Sequence, residues 1–384
     1  MVPKGWKLIP LEHIADPTAA IRYGVVQVGE HTNGGIPIVP IKFIKSINTA
    51  KLHQSSLKIE GKYKNSRIQG GDVLISVKGT IGAVGIVPEG FSGNIAREIA
   101  RIRPSNKFDS NYIAFQLQAD HTQREIENLT VGTTRKEFSI HTLKKFEILV
   151  PPLSEQQKIT QILLTWDQAI STTKKLLENS QQQKKALMQQ LLTGKKRLLD
   201  ENGRSFSEEW QSGHLVDIAK ISKGKALSSK DLKSGSYPVI AGGKTSPYTH
   251  SEYTHENVIT VSASGAYAGY VAFYPYKIWA SDCSVVSNKI GSDINFIYQL
   301  LISMQTIIYS LQSGGAQPHI YPKDIESLKV LIPPLVEQQK IAKVFAVVDQ
   351  EIDTFQKKLD CLKQEKKALM QQLLTGKKRV KVAA

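Results

Sequence analysis

Apolar residues along this 384-residue chain alternate between two kinds of spacing. Across residues 1–150, short apolar runs at Ile36 to Ile41, Val73 to Val77 and Val84 to Val87 are cut by Gly and Pro, which predicts strands with tight turns. Near Asp109 to Glu127 the pattern turns helical. From Ile159 a 4-3 spacing takes over, through Ile159, Leu163, Trp166, Ile170, Thr173, Leu177, Ser180, Lys184, Leu187 and Leu191, as in the seam of a coiled-coil helix. Residues 199–332 return to short runs, with strands predicted near Val258 to Val261 and Tyr270 to Phe273 and a helix from about Asp293 to Tyr309. A second seam then follows through Ile341, Phe345, Val348, Ile352, Phe355, Leu359, Leu362, Lys366, Leu369 and Leu373.

The two seams belong to one internal repeat. Pro151-Pro152-Leu153 recurs as Pro333-Pro334-Leu335, and Glu155-Gln156-Gln157-Lys158-Ile159 as Glu337-Gln338-Gln339-Lys340-Ile341, displaced by 182 (333 minus 151). Lys184 to Arg197 returns residue for residue as Lys366 to Arg379. Fainter echoes frame each intervening segment: Trp6, Leu11, Ile14 and Ala15 match Trp210, Leu215, Ile218 and Ala219. Leu129 and Gly132 match Leu311 and Gly314, and an apolar ladder of Leu143, Phe146, Ile148 and Val150 matches Ile325, Leu328, Val330 and Ile332.

These signals divide the chain into a globular unit at 1–150, a helical segment at 151–198, a second globular unit at 199–332, a second helical segment at 333–380 and a tail at 381–384. Pro-Pro blocks helix upstream of each seam, and Gly194 and Gly376, each followed by Lys-Lys-Arg, supply the C-terminal stop. Ser154 and Gln157 are expected to form a capping box that Val336 denies the second copy. About 40 helical residues make a rod of roughly 60 Å, too long to stand alone in water. Each seam's natural partner is the other, antiparallel. Asn111-Tyr112-Ile113 matching Asn295-Phe296-Ile297 makes the globular units α/β domains of one type, the first longer by 22 residues (145 from Trp6 to Pro151, 123 from Trp210 to Pro333), an excess expected in loops. The fold class is therefore α/β: two α/β domains joined by two long antiparallel coiled-coil helices in a pseudo-twofold repeat.

Charge adds a partner to this picture. Lys and Arg number 50 against 34 acids, a net charge of +16, which favours a polyanion. The balance is uneven: +7 on the first globular unit, +5 on the first helical segment, +5 on the second taken with its tail, and −1 on the second unit. To bind a polyanion the second unit must gather Lys220, Lys223, Lys225, Lys230, Lys233 and Lys244 on one face. Glycine-rich polar loops are the expected contact surfaces, since glycine admits close approach and Arg, Lys, Gln and His donate to phosphates and base edges. The candidates are Lys78, Thr80, Arg97, Thr133, Thr134, Arg135 and Lys136 in the first unit, and Lys244, Tyr248, Ser264, Tyr267, Gln317 and His319 in the second.

Cys283 and Cys361 lie far apart, without disulfide-framework or zinc spacing, and no run approaches the ~18 apolar residues of a membrane span. With no signal-peptide core at the N-terminus, a cytoplasmic protein is expected. Val150-Pro151-Pro152-Leu153 and Ile332-Pro333-Pro334-Leu335 lack the polar anchor and stacking ring of an adenine methyltransferase. Gly243-Lys244-Thr245 has Pro238 where a phosphate loop needs glycine. His250 and His255 read as surface histidines. No catalytic residue and no metal site is expected.

The PPLxEQQKI entry at Pro151 and Pro333 and the LLTGKKR exit at Leu191 and Leu373, duplicated across nearly the whole chain, resemble the specificity subunit of type I restriction-modification systems. The resemblance implies two target-recognition domains that each read half of a bipartite double-stranded DNA target. It implies helices that pair through Ile159, Leu163, Trp166, Ile170, Leu177, Leu187 and Leu191 against Ile341, Phe345, Val348, Ile352, Phe355, Leu359, Leu369 and Leu373 to set the gap. The resemblance further implies two methyltransferase subunits docked alongside, with motor-nuclease subunits joined through them. S-adenosylmethionine, Mg and ATP then belong to those partners and no cofactor to this chain. The rival readings are a coiled-coil protein–protein adaptor, which leaves the basic charge unexplained, and a free-standing DNA-binding protein.

Overall fold

The computed structural model describes residues 2–132, 136–315 and 317–381. Two compact units emerge, one comprising Met1–Thr172 with Leu359–Ala384, the other Thr173–Lys358. The boundary falls inside both long helices, Leu153–Leu191 and Leu335–Leu373, each of 39 residues.

In the first unit the short apolar runs become two four-stranded sheets. One runs in the order Arg22–Tyr23, Ile99–Ile102, Val73–Ser76, Val84–Ile86. The other runs His53–Ser55, Ile36–Val39, Ser92–Ile95, Ile68–Gln69. Val73 and Ile75 on one face and Leu74 on the other enter different core clusters, so the central strand is apolar on both sides and shows no alternation. Helices Ser110–Gln118 and Asp120–Asn128 break at Ala119, where the sequence predicts one continuous helix, because Ala119 adopts an extended conformation (φ −64°, ψ 140°).

The second unit repeats this plan. Ala219–Lys223, Cys283–Asn288, Val258–Ser262 and Val271–Tyr274 form the four-stranded sheet, and Thr249–His250, Tyr237–Ile240 and Trp279–Ala280 the second sheet. The parallel pairing of Ile38 with Asn94 in one unit has its counterpart in Val239 with Trp279 in the other. The first unit's excess is not loop alone: it includes helix Leu57–Glu60, the 3-10 turns of Gly61–Ser66 and the added strand Ile68–Gln69. The predicted helix Asp293 to Tyr309 is interrupted at Met304, giving Ile294–Ser303 and Gln305–Ser310.

The faint echoes close each domain. Lys7–Pro10 pairs antiparallel with Glu147–Val150, and Gln211–His214 with Lys329–Ile332, so the strand entering each domain is hydrogen-bonded to the strand leaving it. Two terminal segments far apart in sequence are thereby held at the start of each long helix.

Within the first unit, Asp167 pairs with Lys366 and Glu155 with Arg379. Within the second, Lys184 pairs with Asp349 and Arg197 with Glu337. Rising numbers on one segment meet falling numbers on the other, so the helical segments run antiparallel in each unit. Ile159, Leu163, Leu177, Leu191, Ile341, Phe345, Leu359 and Leu373 are buried, while Trp166, Ile170, Leu187, Val348, Ile352, Phe355 and Leu369 are half-buried. The helix ends do more than pair. Ile159, Leu163 and Leu373 join the core of the first domain with Tyr112 and Phe115, and Leu191, Ile341 and Phe345 join that of the second with Phe296.

The repeated motifs form one joint, built twice. Glu155 is buried and receives two hydrogen bonds from Arg379 (both 2.7 Å) and one from Trp6 Nε1 (3.2 Å). Glu337 receives Arg197 (2.6 and 3.2 Å) and Trp210 Nε1 (2.9 Å). Gln156 accepts from the Asp109 backbone N–H (2.9 Å) and donates to the Pro151 carbonyl (2.9 Å), and Gln338 does the same with Asp293 and Pro333 (3.0 and 2.8 Å). Asp109 and Asp293 in turn cap the helices that follow them. Gly194 and Gly376, both at φ 69°, turn the chain so that the arginine three residues on reaches the glutamate.

No capping box forms at Ser154: both helices begin at the same repeat position, Leu153 and Leu335, which puts Ser154 inside the first turn. His250 is not a surface residue either. It is buried, with its ring centroid 4.4 Å from that of Trp279 and its Nδ1 accepting from the Glu252 N–H.

Candidate nucleic-acid interface

In the first unit the strand Val73–Ser76 runs out of the core into Val77 to Ile81. Ser76 Oγ closes that turn, donating to the Thr80 carbonyl (2.5 Å) and accepting from the Ala83 N–H (2.8 Å). The loop is pinned on both sides. Val77 N–H donates to the Glu98 carbonyl (2.7 Å), and Phe138 N–H to the Val77 carbonyl (2.9 Å). Lys78 bridges Glu137 through the backbone, places its ammonium 3.1 Å from the Glu137 carboxylate, and lies 5.6 Å from the Tyr23 ring centroid. Glu137 also bridges Val131, so the segment carrying Lys136 lies beside the one carrying Lys78 and Thr80. Arg97, paired with Glu98 at 3.3 Å, borders the same strand end. A cleft of about 590 Å³ opens there, lined by Thr80, Lys136, Gln123, Arg124 and Glu127 among others. Thr133, Thr134 and Arg135 lie outside the described residues.

The second unit builds the same construction from different side chains. Strand Val258–Ser262 leads into Ala263 to Tyr267. Ala263 N–H donates to the Asp282 carbonyl (3.2 Å), and Ile320 N–H to the Ala263 carbonyl (2.9 Å). Ser264 bridges His319, which bridges Ser313, as Lys78 bridges Glu137 and Glu137 bridges Val131. Ser264 Oγ donates to the Asp282 carboxylate. Lys244 stands 5.3 Å from the Tyr267 ring centroid and 5.4 Å from that of Tyr270, drawing two separate sequence candidates together. His319 stacks on Tyr321 with centroids 6.3 Å apart and rings 17° from parallel. Gln317 is exposed, as is Tyr248, whose carbonyl accepts from Val239.

The six lysines of the second unit do not share a face. Lys220 and Lys223 lie three apart on one strand and so point to opposite sides of the sheet, and Lys225 is taken up over the Trp279 ring at 5.0 Å. The local surface around Lys244 relies instead on aromatic rings and neutral donors. Sequence reasoning missed Tyr23, Tyr270, Tyr321, Glu98 and Asp282. Tyr321 was within reach, two residues from His319. Glu98 and Asp282 pin the loops through backbone carbonyls, which no side-chain motif announces, as well as through their carboxylates on Arg97 and Ser264.

The two loop sets present ammonium, guanidinium, hydroxyl, amide and ring groups, which donate to phosphates and base edges or stack. Among the described residues no three His, Cys, Asp or Glu side chains gather as metal ligands would, and no helix is long and apolar enough to cross a membrane.

The family profile described as "type I restriction modification DNA specificity domain" matches residues 4–179 and 207–364, once per repeat. The chain belongs to this specificity-subunit family. The specificity subunit of the MjaIX type I restriction enzyme from Methanocaldococcus jannaschii is 23% identical over 421 residues, covering 99% of this chain and 95% of that one. That of the EcoBI enzyme from Escherichia coli is 29% identical over 164 residues, covering 42% of this chain and 35% of that one. The crystal structure of a type I S subunit from M. genitalium superposes with a TM-score of 0.68 at 18% identity, covering 97% of this chain and 96% of that one, so the fold is shared. A specificity subunit is the DNA-recognition component of a type I restriction-modification system and is not catalytic. For this specificity subunit the duplicated motif is therefore a mark of how two recognition domains are mounted.

Proposed function

We propose that this specificity subunit reads a bipartite double-stranded DNA target in the cytoplasm, one half with each domain, and holds two methyltransferase subunits to it. The motor-nuclease subunits would join through those methyltransferases, which would bring S-adenosylmethionine, with Mg and ATP supplied to the motor. The observation that carries the reading is the repeated loop construction: Lys78 bridged to Glu137 in one domain and Ser264 to His319 in the other, on one backbone plan with different side chains. One plan with two chemistries suits two half-targets of different sequence. The basic excess supports a polyanionic partner, and the near-neutral second domain is read as leaning on Lys244, Tyr267, Gln317 and His319.

The test is duplex binding across a salt series, followed by co-expression with the cognate methyltransferase. A steep fall of log affinity with log salt, and adenine methylation at one split motif, are expected. Duplex binding absent at low salt, with the methyltransferase still captured, would favour the coiled-coil adaptor.

A further inference from the structure

The first unit holds a second concentration of cations, built on residues other than the loops above. A cleft of about 540 Å³ lies beside the outer strand of its first sheet, and Arg22, Lys64, Arg67, Arg101 and Arg103 line it. None of the lining residues is an acid. The nearby carboxylates are already engaged: Glu60 is held by Arg67 (2.6 and 2.7 Å), Asp72 by Arg103 (2.7 and 2.8 Å), and Asp16 by the Thr18 hydroxyl and N–H (2.7 and 2.8 Å).

Arg101 is the anomaly. Its side chain is only 3% exposed, and it faces Arg22 across the strand pair. Its terminal nitrogens donate to the carbonyls of Arg67 (3.0 Å) and Ala20 (2.8 Å), and its Nε has no hydrogen-bond partner among the described residues. Burial, with Arg103 alongside, pushes its pKa down from the ordinary value. Asp72 and Asp16 are the carboxylates that act on it, and both are bonded elsewhere, to Arg103 and to Thr18, so this buried guanidinium, hydrogen-bonded only to carbonyls and next to two exposed cations, has no counterion of its own. A guanidinium fork matches the oxygens of a phosphate.

We propose that this cleft binds a phosphate group, contacted by Arg22 and Lys64 with Arg101 supplying positive field from beneath. The phosphate is either that of a DNA backbone or a free one. The duplex source rests on the DNA-reading assignment above; the free source does not.

Arg101 is buried, and its replacement threatens folding, so the test uses the exposed pair Arg22→Gln/Lys64→Gln, with Lys7→Gln/Lys145→Gln as a charge-matched control. Two responses are measured on the full chain: melting temperature in inorganic phosphate against chloride of equal ionic strength, and the salt slope for a random-sequence duplex. A phosphate-specific rise in melting temperature that the pair abolishes and the control keeps supports the site. An accompanying fall in slope of about 1 per lost contact assigns it to the DNA backbone, whereas an unchanged slope assigns it to free phosphate. A slope reduced by the pair alone, without a phosphate response, also assigns it to the duplex. The proposal is overturned if neither response distinguishes the pair from the control. Duplex binding by the parent chain is measured first; its absence defeats the DNA reading and leaves the phosphate measurement to stand by itself.

Discussion

Replacing Glu337 by alanine probes the joint that the repeat builds. Its carboxylate is fully buried and accepts from Arg197 Nη2 (2.6 Å), Arg197 Nε (3.2 Å) and Trp210 Nε1 (2.9 Å). Removing one partner of a buried pair typically costs ~3–5 kcal/mol, because the other is left desolvated. Arg197 keeps 28% of its side chain in water and rehydrates in part, so we expect the lower end, about 3 kcal/mol. For a unit of this size that lowers the melting temperature by roughly 6–12 °C. Glu155→Ala should cost less, about 2 kcal/mol, since Arg379 is 45% exposed. Trp210→Phe keeps one aromatic ring, removes the N–H donor to a charged acceptor together with part of the packed indole, and should cost at least about 1.5 kcal/mol. Asp353→Ala, which breaks only the exposed pair with Lys357, should cost about 0.5 kcal/mol or less. Calorimetry of the full chain, resolving the transition of each unit, reads all four. A loss below about 1 kcal/mol for Glu337→Ala would refute the claim that this carboxylate holds the second helix to its domain.

Lys136→Ala should weaken binding to all duplexes alike and reduce the salt slope by about 1, read by fluorescence anisotropy, with methyltransferase capture unchanged. Tyr267→Ala should weaken binding to the cognate duplex by about 1.5–3 kcal/mol, the worth of one hydrogen bond to a charged phosphate, while leaving the melting temperature within about 1 °C, since the ring is exposed. Thiol labelling separates the two cysteines: burial raises the Cys283 pKa to about 12, whereas Cys361, also raised but by Glu365, is exposed. At pH 8 Cys361 should react in the native chain and Cys283 only after unfolding. Because the unfolded Cys283 ionises before the folded one, its contribution to stability is present below the unfolded thiol pKa of about 8.5 and is lost as pH rises toward the folded value.

The duplicated helices could be read from the sequence because their signals are local: the 4-3 spacing, the Pro-Pro entry and the glycine exit all act within a few residues. The kinship of the two domains was legible for the same reason, in matched short runs. What held the motifs in place was not. Trp6, Glu155 and Arg379 look like isolated matching letters of a repeat until the fold brings them together across separations of 149 and 224 residues. Heptad spacing likewise treats Ile159 and Ile341 as seam residues and is blind to the domain cores they enter. His250 deceived by type: a histidine in a polar stretch reads as exposed, yet the Trp279 ring covers it. At the candidate interface, glycine and polar composition found the loops and Tyr267, but two further aromatic partners come from other segments, Tyr23 of Lys78 from the strand Arg22–Tyr23 and Tyr270 of Lys244 from just before the strand Val271–Tyr274. Local spacing could not register them.

If this chain chooses the DNA sites a partner enzyme modifies, the modified motif must follow its two recognition domains. The most direct measurement is genome-wide mapping of methylated adenines in cells carrying the cognate methyltransferase with this chain, without it, and with residues 199–332 exchanged for those of a relative. Modification at one split motif is predicted only when the chain is present, and the exchange should alter one half of that motif while preserving the other. Methylation by the isolated chain, or a motif indifferent to its presence, would show that the chain does not choose the sites.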